Sequence, residues 1–284
     1  MSRPLARAAA VLLVALPAAS ARAGVFDVLE PDTDYTLFHP APRSELRELV
    51  RETSPYSIDA GHAQIDVDLV SATWGSDGSM SDRELDVMGF NARLGLTRRS
   101  DVQVEFHPYR ETRVSAAGAS MQHDRGIGDT TVRLGLNLWG NDGGRTAAGL
   151  APFVRIPTGT GGVGTGALEG GVTIPMELRL PLHLRAALST EAEFADDVHG
   201  RRGVHPRLGV TAGLEHELVG PVSLTAEWRT TVDAEGAVMT YDQEVSSDAT
   251  ITINRDTEVR VGAALAMPQV RAGINPFVQM SYRR

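Results

Sequence analysis

The sequence predicts an all-β protein, a transmembrane antiparallel up-and-down β-barrel of about twelve strands. Three observations carry that expectation. From residue 60 onward apolar and polar residues alternate with period two, in segments of about ten residues, the length a tilted strand needs to cross a bilayer. The connections alternate between long and short, as outer loops and periplasmic turns do in outer-membrane barrels. After residue 23 no apolar run is long enough for a membrane-spanning helix. A slightly negative mean hydropathy does not oppose the barrel, because only alternate residues of its strands meet lipid.

The elements follow in order. Basic Arg3 and Arg7, an apolar stretch over 8–16 and the small-residue site Ala21-Arg22-Ala23 have the three regions of a secretory signal, so residues 1–23 are expected to be cleaved and the mature chain to begin at Gly24. Residues 24–60 lack sustained alternation and carry Pro31, Pro40, Pro42 and Pro55. They read as an irregular N-terminal segment, periplasmic or folded into the barrel as a lumen plug, with a helical turn or two over 44–51. Residues 61–284 form the barrel.

Its first strand is expected over 62–73. In the second, Met88, Phe90, Ala92, Leu94 and Leu96 oppose Gly89, Asn91, Arg93, Gly95 and Thr97. The clearest alternation runs over 131–139, where Val132, Leu134, Leu136 and Leu138 share one face. Leu182, Leu184, Ala186 and Leu188 oppose His183, Arg185 and Ser189, and the pattern recurs at Leu208 to Leu214, Val222 to Trp228 and Val259 to Leu265. Strands over 249–253, 257–267 and 273–282 complete an even count, with both termini on the periplasmic side. Long connections are expected at 75–84, 111–127, 158–167, 195–203 and 233–247, and short ones at 98–100, 140–145, 180–181, 219–221 and 254–256.

A soluble periplasmic β-sandwich shares the alternation, and the connection lengths favour the barrel over it. Aromatic residues make up only 5% of the chain, against the aromatic girdles usual in such barrels. Phe90, Phe106, Trp139, Phe153, Trp228, Phe277 and Tyr282 are the candidates for sparse girdles.

The absence of cysteine rules out disulfides and thiolate metal sites. Loss of Arg3, Arg7 and Arg22 with the signal moves the formal charge from −9 to −12, which argues against nucleic acid as a partner. The eight histidines have no metal-site spacing, and the glycine-rich Pro157 to Gly166 has no following lysine and reads as a flexible outer loop rather than a phosphate cradle. Ser189 with His183, or Ser223 with His216, makes no triad by spacing. No enzyme activity, cofactor or metal is expected.

Arg51 to Asp66 (RETSPYSIDAGHAQID) resembles the entry motif of an outer-membrane family labelled putative transporter or putative meta-pathway of phenol degradation. Gly126 to Gly144, Ala151 to Gly159 and Glu169 to Pro175 fit the same family in the same order. The resemblance implies an outer-membrane barrel assembled by the barrel assembly machinery, and its label implies aromatic compounds as solutes. The chain departs from the common aromatic C-terminus of such barrels, since Arg283 and Arg284 follow Tyr282.

The informative constellation is the expected inner face. Asp66, Asp68, Glu105, Glu177, Glu215, Glu227 and Glu258 meet Arg93, Arg133, Arg155, Arg179, Arg185, Arg207, Arg229 and Arg260 there. In a wide pore they would set selectivity; in a narrow barrel they would brace the lumen through bidentate Arg–carboxylate pairs, and a partly occluded lumen is favoured. The function expected is a channel or transporter for passive passage of small solutes, aromatic or hydrophobic ones included. The alternative is a closed structural or adhesive barrel whose long loops bind an extracellular partner.

Overall fold

A computed structural model describes residues 53–76, 80–116, 121–141, 143–196, 203–218, 220–235, 238–267 and 272–283. The expected signal and residues 24–52 lie outside them. The described residues form fourteen strand segments: β1 Ala63–Ser76, β2 Met80–Thr97, β3 Ser100–Phe106, β4 Tyr109–Ala116, β5 Gln122–Gly126, β6 Thr130–Trp139, β7 Thr146–Ile156, β8 Glu169–Leu180, β9 Leu184–Asp196, β10 Val204–Glu217, β11 Val222–Glu235, β12 Val238–Thr252, β13 Thr257–Ala266 and β14 Ala272–Arg283.

Every pairing is antiparallel, and β1 pairs with both β2 and β14, so the sheet closes on itself. The closed ring has twelve strands, β1, β2, β3 and β6 to β14. Segments β4 and β5 extend two of them: β4 continues β3 beyond His107 and Pro108 and pairs with the outer half of β2, while β5 precedes β6 and pairs with β4. Closure pairs the backbone groups within the wall, the condition for crossing hydrocarbon with strands.

Several expected long connections are shorter than the sequence suggests. Strand β2 begins at Met80, the 111–127 stretch is largely β4 and β5, and β11 and β12 pair out to Glu235 and Val238. The reason is physical: beyond the lipid both faces of a strand meet water, so the ladder continues while the apolar alternation that betrays it stops. One short connection is displaced. Leu182 and His183 form the turn before β9, with φ of +64° and +56°, and so drop out of that strand.

The wall is inside out relative to a soluble protein. Ile65, Leu94, Val154, Leu208, Leu224, Val261 and Ile274 are exposed outward, whereas Gln64, Asp66, Arg93, Asp101, Glu177 and Glu215 are buried inward. The β1–β2 register skips Leu69 and Met88, and Met88 has φ +60°. This irregularity shifts the phase, so Ser71, Thr73 and Gly75 on β1, and Asp82, Glu84 and Asp86 on β2, face inward in register with one another.

Trp139, Trp228 and Tyr282 face outward as expected, joined by Trp74, Tyr109 and Tyr241. Phe90 and Phe106 pair edge to face on the outer surface, 5.4 Å between centroids. Phe153 and Phe277 are corrections to the expected girdle, for they point into the barrel with 4% and 2% exposure. Their strand parity places them there, and inward-facing Gly171 and Gly262 leave space for the two rings.

Candidate functional site

The candidate site is the lumen, and strand parity builds it. At the short-turn end residues 53–62 lie inside the wall. Their backbone groups find side-chain partners instead of a ladder. Ile58 N–H donates to Asp101 Oδ2 at 3.1 Å, and Ser57 N–H to Asn141 Oδ1 at 3.0 Å. The Pro55 carbonyl accepts from Asn137 Nδ2 at 2.6 Å, and the Tyr56 carbonyl from Arg93 Nη2 at 2.9 Å. The Tyr56 hydroxyl donates to Glu177 at 3.0 Å, with the Arg179 guanidinium 5.8 Å from the centre of its ring.

The segment approaches the wall closely because glycine permits it. A Cβ on Gly95 would overlap the Asp59 and Ile58 carbonyl oxygens, and one on Gly149 would press on Pro55. Asp101, at 0% exposure, is the hub: it also accepts from Arg93 at 2.9 Å and from Gln103 at 3.1 Å.

Around the rest of this level the inner charges pair. Arg185 lies 2.6 Å from Glu215 and 3.7 Å from Glu177, and Arg179 lies 3.9 Å from Glu177. Gln64 Nε2 donates to both oxygens of Asp66, at 2.9 and 2.8 Å, and Gln279 donates to Asp68 at 3.2 Å. Arg260 stands 3.6 Å from Asp248, and Arg283 3.4 Å from Glu258. The cavity among Gln64, Asp66, Arg260 and Arg283 measures only ≈ 10 Å³, about the least that holds one water.

Toward the long-loop end the lumen opens. A cavity of ≈ 530 Å³ is lined in part by Thr73, Asp82, Arg229, Asp242 and Glu244. A second, of ≈ 350 Å³, is lined in part by Glu105, Arg133, Phe153, Arg155, Glu193 and Arg207. Arg229, Thr231 and Asp242 line both. Here Arg155 bonds Glu169 and lies 2.7 Å from Glu193, while Arg207 reaches Asp233 at 3.1 Å and Glu193 at 3.4 Å. The Arg133 guanidinium lies 5.3 Å from the Phe153 ring centre. Glu105 pairs with His107 at 3.1 Å, and Glu227 accepts from Ser246 at 3.5 Å.

The structure divides the fifteen expected inner residues into two groups. Asp66, Asp68, Arg93, Glu177, Arg179, Arg185, Glu215, Glu258 and Arg260 surround the filled end; Glu105, Arg133, Arg155, Arg207 and Arg229 line the open one, and Glu227 lies between. Asp101, Glu169, Glu193, Asp233, Asp248 and Arg283 belong to the same networks, beyond the residues the alternation singles out. A parity signal existed for them: Asp101 stands two residues before Gln103 and four before Glu105, and Glu193 four after Ser189. Tyr56 and Ile58 carried no such signal.

Residues 49–181 match the family model described as putative MetA-pathway of phenol degradation. That match spans just under half of the chain and takes in every stretch that carries the family resemblance. The match takes in the entry motif, the plug-side residues 53–62 and the wall through β8. Among solved structures, an outer-membrane channel from Pseudomonas putida F1 is similar to this chain with TM-score 0.61 at 12% identity, over 84% of this chain and 100% of that one. The NanC porin follows with TM-score 0.50 at 7% identity, over 77% and 98%. At such identities these likenesses speak to the fold, that of an outer-membrane barrel. No curated protein matches the chain significantly.

Proposed function

We propose that this protein is an outer-membrane channel through which small solutes pass down their own gradient, entering the outer vestibule and meeting a constriction at residues 53–62. One observation carries the reading: a closed barrel with an apolar exterior holds a broad charged cavity at one end and a chain segment at the other. The Pseudomonas structure, itself an outer-membrane channel, supports it by fold.

The family's label points to aromatic solutes. The vestibule is suited to aromatic compounds that carry hydroxyl or carboxyl groups, because guanidinium planes such as Arg207 and Arg229 stack on rings while their N–H forks bind oxygen. Carboxylates outnumber guanidinium groups in the lining of the two cavities, seven to four, so ion flow through the vestibule favours cations. Export through a signal ending near Ala23, insertion by the barrel assembly machinery and closure by 24–60 as a plug complete the proposal. Planar-bilayer recording with the refolded full protein, alongside liposome uptake of phenol and benzoate, tests it. Small conductance with faster uptake of these compounds than of a sugar of similar size is expected; neither conductance nor uptake would defeat the channel.

A further inference from the structure

The strand arginines divide sharply by face. In the described strands Arg93, Arg110, Arg133, Arg155, Arg179, Arg185, Arg207, Arg229, Arg260 and Arg283 hold inward positions, and only Arg83, Arg113 and Arg125 face outward. All three outward ones fall on the small sheet made by β2, β4 and β5. Its registry sets Arg83 opposite Arg113 and Arg113 opposite His123, and one pair lower sets Leu85 opposite Glu111 and Glu111 opposite Arg125. Arg83, Arg113, His123 and Arg125 are exposed.

Glu111 organises this group without neutralising it. It accepts from Arg113 Nε at 2.6 Å and from Tyr109 Oη at 2.6 Å, and lies 3.1 Å from His123 Nε2. Three guanidinium groups against one carboxylate leave a cationic patch on an otherwise acidic chain.

The level of the patch identifies what it meets. Trp74 of β1 pairs with Arg83, and Tyr109 pairs with Val87 below, so the arginines sit at and just above interfacial aromatic side chains on the lipid-facing surface. Beneath them the same face carries Val70, Val87 and Met88. The long-loop end is the outer one, and the outer leaflet of an outer membrane consists of a glycolipid whose sugar headgroup bears phosphates at this depth. Arginine side chains bury their stems against the apolar belt and present flat donor forks to phosphate oxygens.

We propose that Arg83, Arg113 and Arg125, with His123 beside them, form a binding site for the phosphate groups of the lipid A of lipopolysaccharide. The site anchors the β2–β4–β5 blade to the outer leaflet and fixes the rotational position of the barrel in its lipid annulus. This inference rests on the outer-membrane orientation used above, but not on solute passage.

The test uses the full refolded protein in detergent, titrated with bisphosphorylated lipid A, with chemically dephosphorylated lipid A and with inorganic phosphate, followed by native mass spectrometry and thermal unfolding. Wild type is expected to retain bisphosphorylated lipid A and melt higher with it, and to bind the dephosphorylated form and free phosphate far more weakly. The R83Q/R113Q/R125Q variant changes only exposed side chains and should fold, as heat-modifiable migration will show. Its affinity for lipid A should fall on the order of tenfold or more, given about 1 kcal/mol for each basic side chain at an anionic lipid surface. R83K/R113K/R125K should recover only part of that loss. Equal lipid A binding by the glutamine variant, or equal binding of the dephosphorylated lipid or of free phosphate by wild type, would overturn the site. Conductance of the same variant is expected to match wild type, so failure of the channel and failure of the lipid site are read separately.

Discussion

Arg185 shows what a charge does in this lumen. It sits between Glu177 and Glu215, the latter 2% exposed, and removing it leaves two carboxylates facing each other away from bulk water. Breaking such an arrangement from one side costs about 3–5 kcal/mol, whereas replacing all its members by apolar residues is often neutral. Arg185→Gln should therefore lower unfolding stability in urea by about 3 kcal/mol, and the triple replacement R185M/E177L/E215L should return most of it. Asp129, in the connection before β6, works by hydrogen bonding. Partial burial raises its carboxyl, but the Thr165 and Gly159 amides and the Thr165 hydroxyl outweigh this and hold it below the ordinary value of 3.8. A depressed acid stabilises the folded loop above its unfolded pKa and loses that contribution as pH falls through the folded one. Amide exchange at Gly159 and Thr165 should stay protected at neutral pH and down to the ordinary carboxylate range, and accelerate only in stronger acid.

At the scale of elements, the inward segment and the glycine-rich loop are held in different ways. Residues 53–62 lean on the wall through Gly95 and Gly149, so Gly95→Val puts side-chain atoms where the Ile58 and Asp59 carbonyl oxygens lie. The strand tolerates valine well, and the segment is what moves. Single-channel conductance should rise severalfold while the barrel still migrates as folded; unchanged conductance would show that 53–62 does not limit the path. The loop between β7 and β8 docks on the stretch between β5 and β6, with Thr160 N–H donating to the Ile127 carbonyl at 2.9 Å and Gly159 and Thr165 bound to Asp129. Asp129→Ala should expose it, and protease added to intact cells should cut within 158–166 in the variant much faster than in wild type, with the rest of the barrel uncut.

Across the whole molecule, closure of the twelve-strand ring predicts resistance to denaturant without heat: the unboiled protein should run faster on a denaturing gel than the boiled one. The ring itself is legible in the sequence. Residues such as Val132, Leu134, Leu136 and Leu138 alternate with inward Thr131, Arg133 and Asn137 because lipid lies on one side of the strand and a polar lumen on the other. The sequence was silent where that contrast ends. Strands β4 and β5 rise from the interface with polar residues on both faces, so 111–127 reads as a loop. Phe153 and Phe277 looked like girdle, since composition does not say which face an aromatic side chain takes when the inward glycine that accommodates it lies on a neighbouring strand.

The sequence by itself therefore determined the barrel class, the even strand count and the charged inner face, each a local consequence of period-two patterning against two solvents. Only the tertiary structure decided which carboxylate holds which arginine, that 53–62 occupy the short-turn end of the lumen, and that three arginines on separate strands form one outward patch. These are pairings between residues far apart in the chain. Their geometry depends on register and ring closure, which no single segment encodes.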